Sequence, residues 1–123
     1  MKIIATCKAP QAIGPYSQAI SFENLIFTSG QIALKPDGEF LVGDVVAQTH
    51  QVLENLSAVL EEAGSCFQKV LKTTIFLANI EDFAKVNEVY GTYFKDHKPS
   101  RSTVGVKSLP RNALVEIEAI AIK

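Results

Sequence analysis

Apolar residues recur along this chain at two different spacings, and the switches between them mark out its elements. Residues 2–6 make a short β-pattern. Residues 17–22 and 25–29 make two more, and their junction at Glu23-Asn24 predicts a hairpin. The intervening stretch from Ala9 to Tyr16 contains Pro10, Gly14 and Pro15, which predicts an ordered loop. Lys35-Pro36-Asp37-Gly38 reads as a turn. Behind Asp44, a candidate N-cap, Val45, Thr49, Val52, Leu53, Leu56, Val59, Leu60 and Ala63 fall at helical spacing, and Gly64 closes the pattern. Residues 69–78 are rich in β-branched and aromatic side chains, which predicts a strand. Residues 81–95 predict a second helix, with Phe83, Val86, Val89, Tyr90, Tyr93 and Phe94 on its apolar side. Pro99 and Pro110 bracket a strand near 102–108, and residues 114–122 form the last strand.

The expected order is therefore β-ββ-α-β-α-ββ. It implies an α/β (α+β) sandwich: about six strands in a mixed sheet, with both helices on one face. No linker or repeat interrupts residues 1–123, so a single domain is expected. In the last strand Val115, Ile117, Ala119 and Ala121 share the face suited to close helix packing. The other face carries Leu114, Ile120 and Ile122 together with Glu116 and Glu118. In residues 69–78, alternation puts Leu71, Ile75 and Leu77 on one face and Val70, Phe76 and Ala78 on the other. Two helices cannot cover a second apolar face, which points to an obligate oligomer with the glutamates near its interface. The alternative is a monomer whose 30–44 loop folds across that face.

Composition narrows the function classes. The 123 residues carry a net charge of −1 and include no basic cluster, so nothing suggests a nucleic-acid partner. No apolar run approaches the length of a membrane span. Cys7 and Cys66 are far apart and suit two free thiols in a reducing compartment, hence a cytoplasmic protein. His50 and His97 are isolated, so no metal is expected, and no phosphate loop supports a nucleotide cofactor.

Four places hold candidate chemistry. Arg101, at the mouth of a strand, could grip a carboxylate through two parallel hydrogen bonds, or could be an exposed arginine in an ion pair. Glu116 and Glu118 sit in an apolar row, where a carboxylate is costly unless paired or protonated. Either could orient water as a general base, and alternation does not separate them. Tyr16 lies in the rigid loop and could present its hydroxyl or simply pack. Ser29-Gly30-Gln31 ends a strand at a glycine, where a ligand could approach the backbone or the strand could simply end.

The motifs Ile13-Gly14-Pro15-Tyr16-Ser17-Gln18-Ala19, Ser29-Gly30-Gln31-Ile32, Asn55-Leu56 through Ala63-Gly64, Phe83–Tyr90, Pro99-Ser100-Arg101-Ser102 and Val115-Glu116-Ile117-Glu118-Ala119 occur in this order across the whole chain. Together they resemble the RidA (YjgF) family of reactive-intermediate deaminases. The resemblance implies a chorismate-mutase-like fold and a homotrimer with three intersubunit clefts. It implies hydrolysis of 2-iminobutanoate and 2-iminopropanoate to 2-oxo acids and ammonia, without metal or cofactor. By the same resemblance Arg101 holds the substrate carboxylate, Glu118 positions or activates water, and Tyr16 lines the cleft. Ser29, Gly30, Asn87 and Thr103 shape the pocket, the last partly through its backbone N–H. Many relatives carry cysteine where this chain has Thr103, so a role for a reactive thiol there is not expected. A metabolite sensor using the same cleft is one rival reading. A role in RNA cleavage, translation inhibition or chaperone-like holding is another.

Overall fold

A computed structural model describes residues Met1–Lys123. Eight regular elements follow one another: β1 (Lys2–Ile4), β2 (Ala19–Phe22), β3 (Leu25–Thr28), α1 (Val45–Glu62), β4 (Val70–Leu77), α2 (Phe83–Phe94), β5 (Ser100–Gly105) and β6 (Val115–Ile122). The strands form one six-stranded sheet in the order β1-β2-β3-β6-β4-β5. Only β4 and β5 run parallel, joined by α2; the other neighbours are antiparallel. The sheet is thus mixed and the fold α+β, as the hydrophobic pattern implies.

Local chemistry explains the boundaries. Asp44 Oδ1 accepts a hydrogen bond from Ala47 N at 2.8 Å and caps α1. At the other end Gly64 takes φ +84°, and Ser65 N donates to Leu60 O at 2.8 Å, closing a Schellman turn. The hairpin joins β2 to β3 through Glu23, held at φ 53°. Strand β5 starts at Ser100 rather than 102, because its parallel register with β4 begins at Lys72↔Ser100. The Ser100 hydroxyl reinforces that start by donating to Leu71 O at 3.0 Å.

One core lies between the sheet and the two helices. Val52, Leu53, Leu56, Val59 and Leu60 of α1 and Val86, Val89, Tyr90 and Phe94 of α2 pack on Ile26, Ile75, Leu77, Val115, Ile117 and Ala121. Burial of each such aliphatic or aromatic side chain contributes about 1.5–3 kcal/mol. In β4 the expected facing is corrected at its first turn. A bulge between Val70 and Lys72 shifts the register, so Val70 is buried with Thr73, Ile75 and Leu77 while Leu71 is exposed. One extra residue reverses side-chain direction, which strict alternation does not anticipate.

The face away from the helices keeps apolar side chains in solvent: Phe22 is 54% exposed and Phe27 43%. The 30–44 loop does not cover them. Asn55 of α1, itself buried, donates to Ile32 O at 3.2 Å and Leu34 O at 2.7 Å and ties the loop to the helix. Neither helix is long and apolar enough to cross a membrane.

Candidate functional site

The named residues fall into two groups on opposite faces of the sheet. Thr73 and Ile75 of β4 point toward the helices, and Arg101 and Thr103 are their partners on β5. Glu116 and Glu118 partner Phe76 and Thr74, on the open face.

On the helix side, Arg101 is held from three directions. Its Nη1 donates to Asn87 Oδ1 at 2.6 Å. Its guanidinium carbon lies 5.4 Å from the Phe83 ring centroid and 5.0 Å from that of Tyr90. Both contacts are favourable cation–π geometries. Tyr90 is fixed in turn by stacking on Phe94 and by its hydroxyl, 2.7 Å from Thr73 Oγ1. Burial pushes the Tyr90 phenol up from its ordinary pKa, against the opposing effects of the Thr73 bond and the Arg101 charge, so it stays neutral. Arg101 borders a cavity with Lys98 and Pro99. This arrangement presents a pre-oriented fork suited to a carboxylate. Thr103, two residues on, has a buried hydroxyl with no partner in the chain.

A second cavity, of about 530 Å³, holds Tyr16, Ser29, Gly30 and Glu116. Gln18 builds its wall. Its amide accepts from Thr6 N at 2.7 Å and donates to Pro10 O at 2.8 Å, pinning the N-terminal loop to β2. Ser29 Oγ donates to Ser17 O at 2.6 Å, which leaves the hydroxyl oxygen able to accept from a ligand. The Glu116 side chain lies over Gly30. A Cβ built on Gly30 would overlap the Glu116 carboxylate oxygen and lie 2.9 Å from its Cδ. Burial, and secondarily the charge of Glu118, raise the Glu116 carboxyl above the usual carboxylate range. A carboxyl tuned this way suits proton transfer.

The two glutamates that alternation leaves equivalent are therefore separated by their surroundings. Glu116 joins Tyr16, Ser29 and Gly30, whereas Glu118 borders a shallow dent with Lys72, Thr74 and Ile120. The cause is a register slip between β3 and β6. The pairing Phe27↔Ile120 becomes Gln31↔Ile117, and Ala119 N donates to the Thr28 hydroxyl at 2.9 Å instead of to a carbonyl. The backbone around Gly30 thereby comes under Glu116. Gln31, of the Ser29-Gly30-Gln31 stretch, lines the same cavity, as does Arg111, which sequence reasoning passed over. The two cavities share no residue, so within one chain Arg101 and Glu116 do not meet.

A six-stranded mixed sheet with both helices on one face, an arginine fork and a glycine-cradled glutamate define a small α+β protein with two candidate ligand cavities. Residues 6–123 match the family model described as Endoribonuclease L-PSP. The chain is 49% identical over 123 residues to a Mus musculus protein named 2-iminobutanoate/2-iminopropanoate deaminase, covering 99% of this chain and 91% of the relative. It superposes on a solved Yersinia pestis protein of the conserved Rid family, YyfA, with a TM-score of 0.97 at 51% identity, covering 99% and 98% of the two chains. It also superposes on E. coli TdcF with bound serine, with a TM-score of 0.95 at 43% identity, covering 100% of this chain and 99% of the other. The chain belongs to the Endoribonuclease L-PSP family, which includes the Rid proteins.

Proposed function

We propose that this protein hydrolyses 2-imino acids, 2-iminobutanoate and 2-iminopropanoate among them, to 2-oxo acids and ammonia, in clefts between the subunits of a homotrimer. The observation that carries the reading is Glu116, a half-buried carboxyl of raised proton affinity cradled on Gly30 beside Tyr16. The name borne by the mouse relative supports the same chemistry. In this reading the role the resemblance gave to Glu118 passes to Glu116. Arg101 binds the α-carboxylate, Asn87 holds the guanidinium, and the Thr103 N–H supports the bound acid. Glu116 takes a proton from water as oxygen attacks the C=N carbon. The carboxyl returns that proton to nitrogen to give the neutral carbinolamine, then takes the hydroxyl proton and passes it to nitrogen as the C–N bond breaks, leaving ammonia and the C=O of the oxo acid. Tyr16 and Ser29 face the same cavity and bond the nitrogen or the water.

Assembly is part of the proposal because the two half-sites are on opposite faces of one sheet. A neighbouring subunit laid on the exposed Phe22 and Phe27 face covers apolar surface and brings a second copy's half-site within reach. The test generates imine from threonine or serine with a dehydratase and follows its decay. Acceleration by the wild type and loss of at least a hundredfold in Arg101→Ala and Glu116→Gln are expected. No acceleration over buffer, or full activity in Arg101→Ala, would sink the reading. Sedimentation should give three times the 13.4 kDa chain mass, and Phe27→Asp should dissociate it.

A metabolite sensor is the second reading, favoured by the serine bound to the solved E. coli relative. Tight ligand binding with no imine decay selects it.

A further inference from the structure

The Glu116 cavity contains one group that imine hydrolysis leaves unused. Arg111 and Glu116 are the only charged residues among those lining it. The Arg111 guanidinium carbon sits 5.7 Å from the Phe40 ring centroid, which fixes the side chain against the loop after β3. The backbone that delivers it is strained. Arg111 and Asn112 take φ 61° and 55°, consecutive left-handed residues without a glycine. Such strain concentrates at ligand sites. Pro110 and the Ala113 N–H bond to Pro110 O hold the turn in that shape.

We infer that Arg111 reads the far end of the substrate and selects 2-imino acids that carry a second carboxylate on the side chain. This rests on the deaminase reading and deepens it. With the α-carboxylate on the Arg101 of a neighbouring copy in the proposed cleft, a three- or four-carbon monoacid has nothing to offer the Arg111 guanidinium. The cavity, at about 530 Å³, is in the range that holds ligands much larger than such acids. A distal carboxylate supplies the planar, two-oxygen partner that a guanidinium binds best, whereas a distal ammonium is repelled. Gln18 does not compete for that end, since its amide is spent on Thr6 and Pro10.

The experiment measures kcat/KM for two imines made in the assay, one from aspartate and one from 2-aminobutyrate, and takes their ratio. In Arg111→Gln that ratio should fall at least tenfold relative to wild type, with partial recovery in Arg111→Lys. A ratio within twofold of wild type overturns the inference, as does an equal loss on both imines, which marks Arg111 as structural. If the wild type turns over neither imine, the deaminase reading fails by itself. Calorimetry then decides: a four-carbon 2-oxo diacid should bind at least tenfold tighter than 2-oxobutanoate, with the preference lost in Arg111→Gln. Equal binding of the two acids by the wild type overturns the inference.

Discussion

Replacing Gly30 with alanine tests the core of the proposed site with a single methyl group. Gly30 does not have a positive φ, so alanine meets no backbone strain there. The new Cβ would overlap the Glu116 carboxylate oxygen, with Cδ at 2.9 Å and Cγ at 3.0 Å. The overlap involves the side chain beyond its tip, so rotating the carboxylate alone does not relieve it. The whole Glu116 side chain has to swing toward the open face, a displacement of 1 Å or more. Misplacing a reacting group by about 1 Å costs on the order of a hundredfold in rate. Losing a general acid–base altogether costs about 10²–10⁴-fold. Gly30→Ala should therefore lower kcat for imine decay about a hundredfold while changing stability by less than about 1 kcal/mol, since the carboxyl moves toward water. The decisive measurement is the double variant. In Glu116→Ala the clashing atoms are gone, so adding Gly30→Ala should change the rate by less than threefold. Multiplicative losses in the double variant would refute the mechanism, because they would place the effect of Gly30 elsewhere.

Other expectations follow from single contacts. Asn55→Ala removes the donor to Ile32 O and Leu34 O and should cost about 2 kcal/mol in urea unfolding with an unchanged m-value. Asn87→Ala loosens Arg101 without touching Glu116, so KM should rise about tenfold while kcat moves little. Tyr93 is pushed up to about 12, chiefly by burial and then by its bond to Glu54, and it joins α2 to His50 and Glu54 of α1. The folded state thus favours the neutral phenol. Its contribution is complete below pH 10 and is lost as pH rises toward 12, a loss that Tyr93→Phe should abolish in pH-dependent melting. Glu116→Gln removes a charge whose burial opposes folding, so it should raise the melting temperature at neutral pH while abolishing activity.

Much of this molecule was legible before its coordinates. Asp44 and Gly64 mark the ends of α1, because capping is chemistry local to a few residues. Of the six residues whose helical spacing marked the apolar side of α2, Val86, Val89, Tyr90 and Phe94 are buried, Tyr93 is partly buried, and Phe83 at the helix start is exposed. The open apolar face followed from counting helices against sheet faces. Two strand details were not legible. The bulge at Leu71 and the slip between β3 and β6 each insert one residue into a ladder, and alternation carries no sign of where that happens.

By itself, then, the chain determined its elements, their layering and the residue types of its candidate site, because period, capping and burial are written in neighbouring residues. Only the tertiary structure put Glu116 and Glu118 in different surroundings, and it put Arg101 and Glu116 on opposite sides of the sheet. It also brought Arg111 into the Glu116 cavity. Those outcomes depend on register between strands distant in sequence and on side chains leaning across a ladder. Pairing geometry sets them, and the order of apolar and polar residues does not encode it.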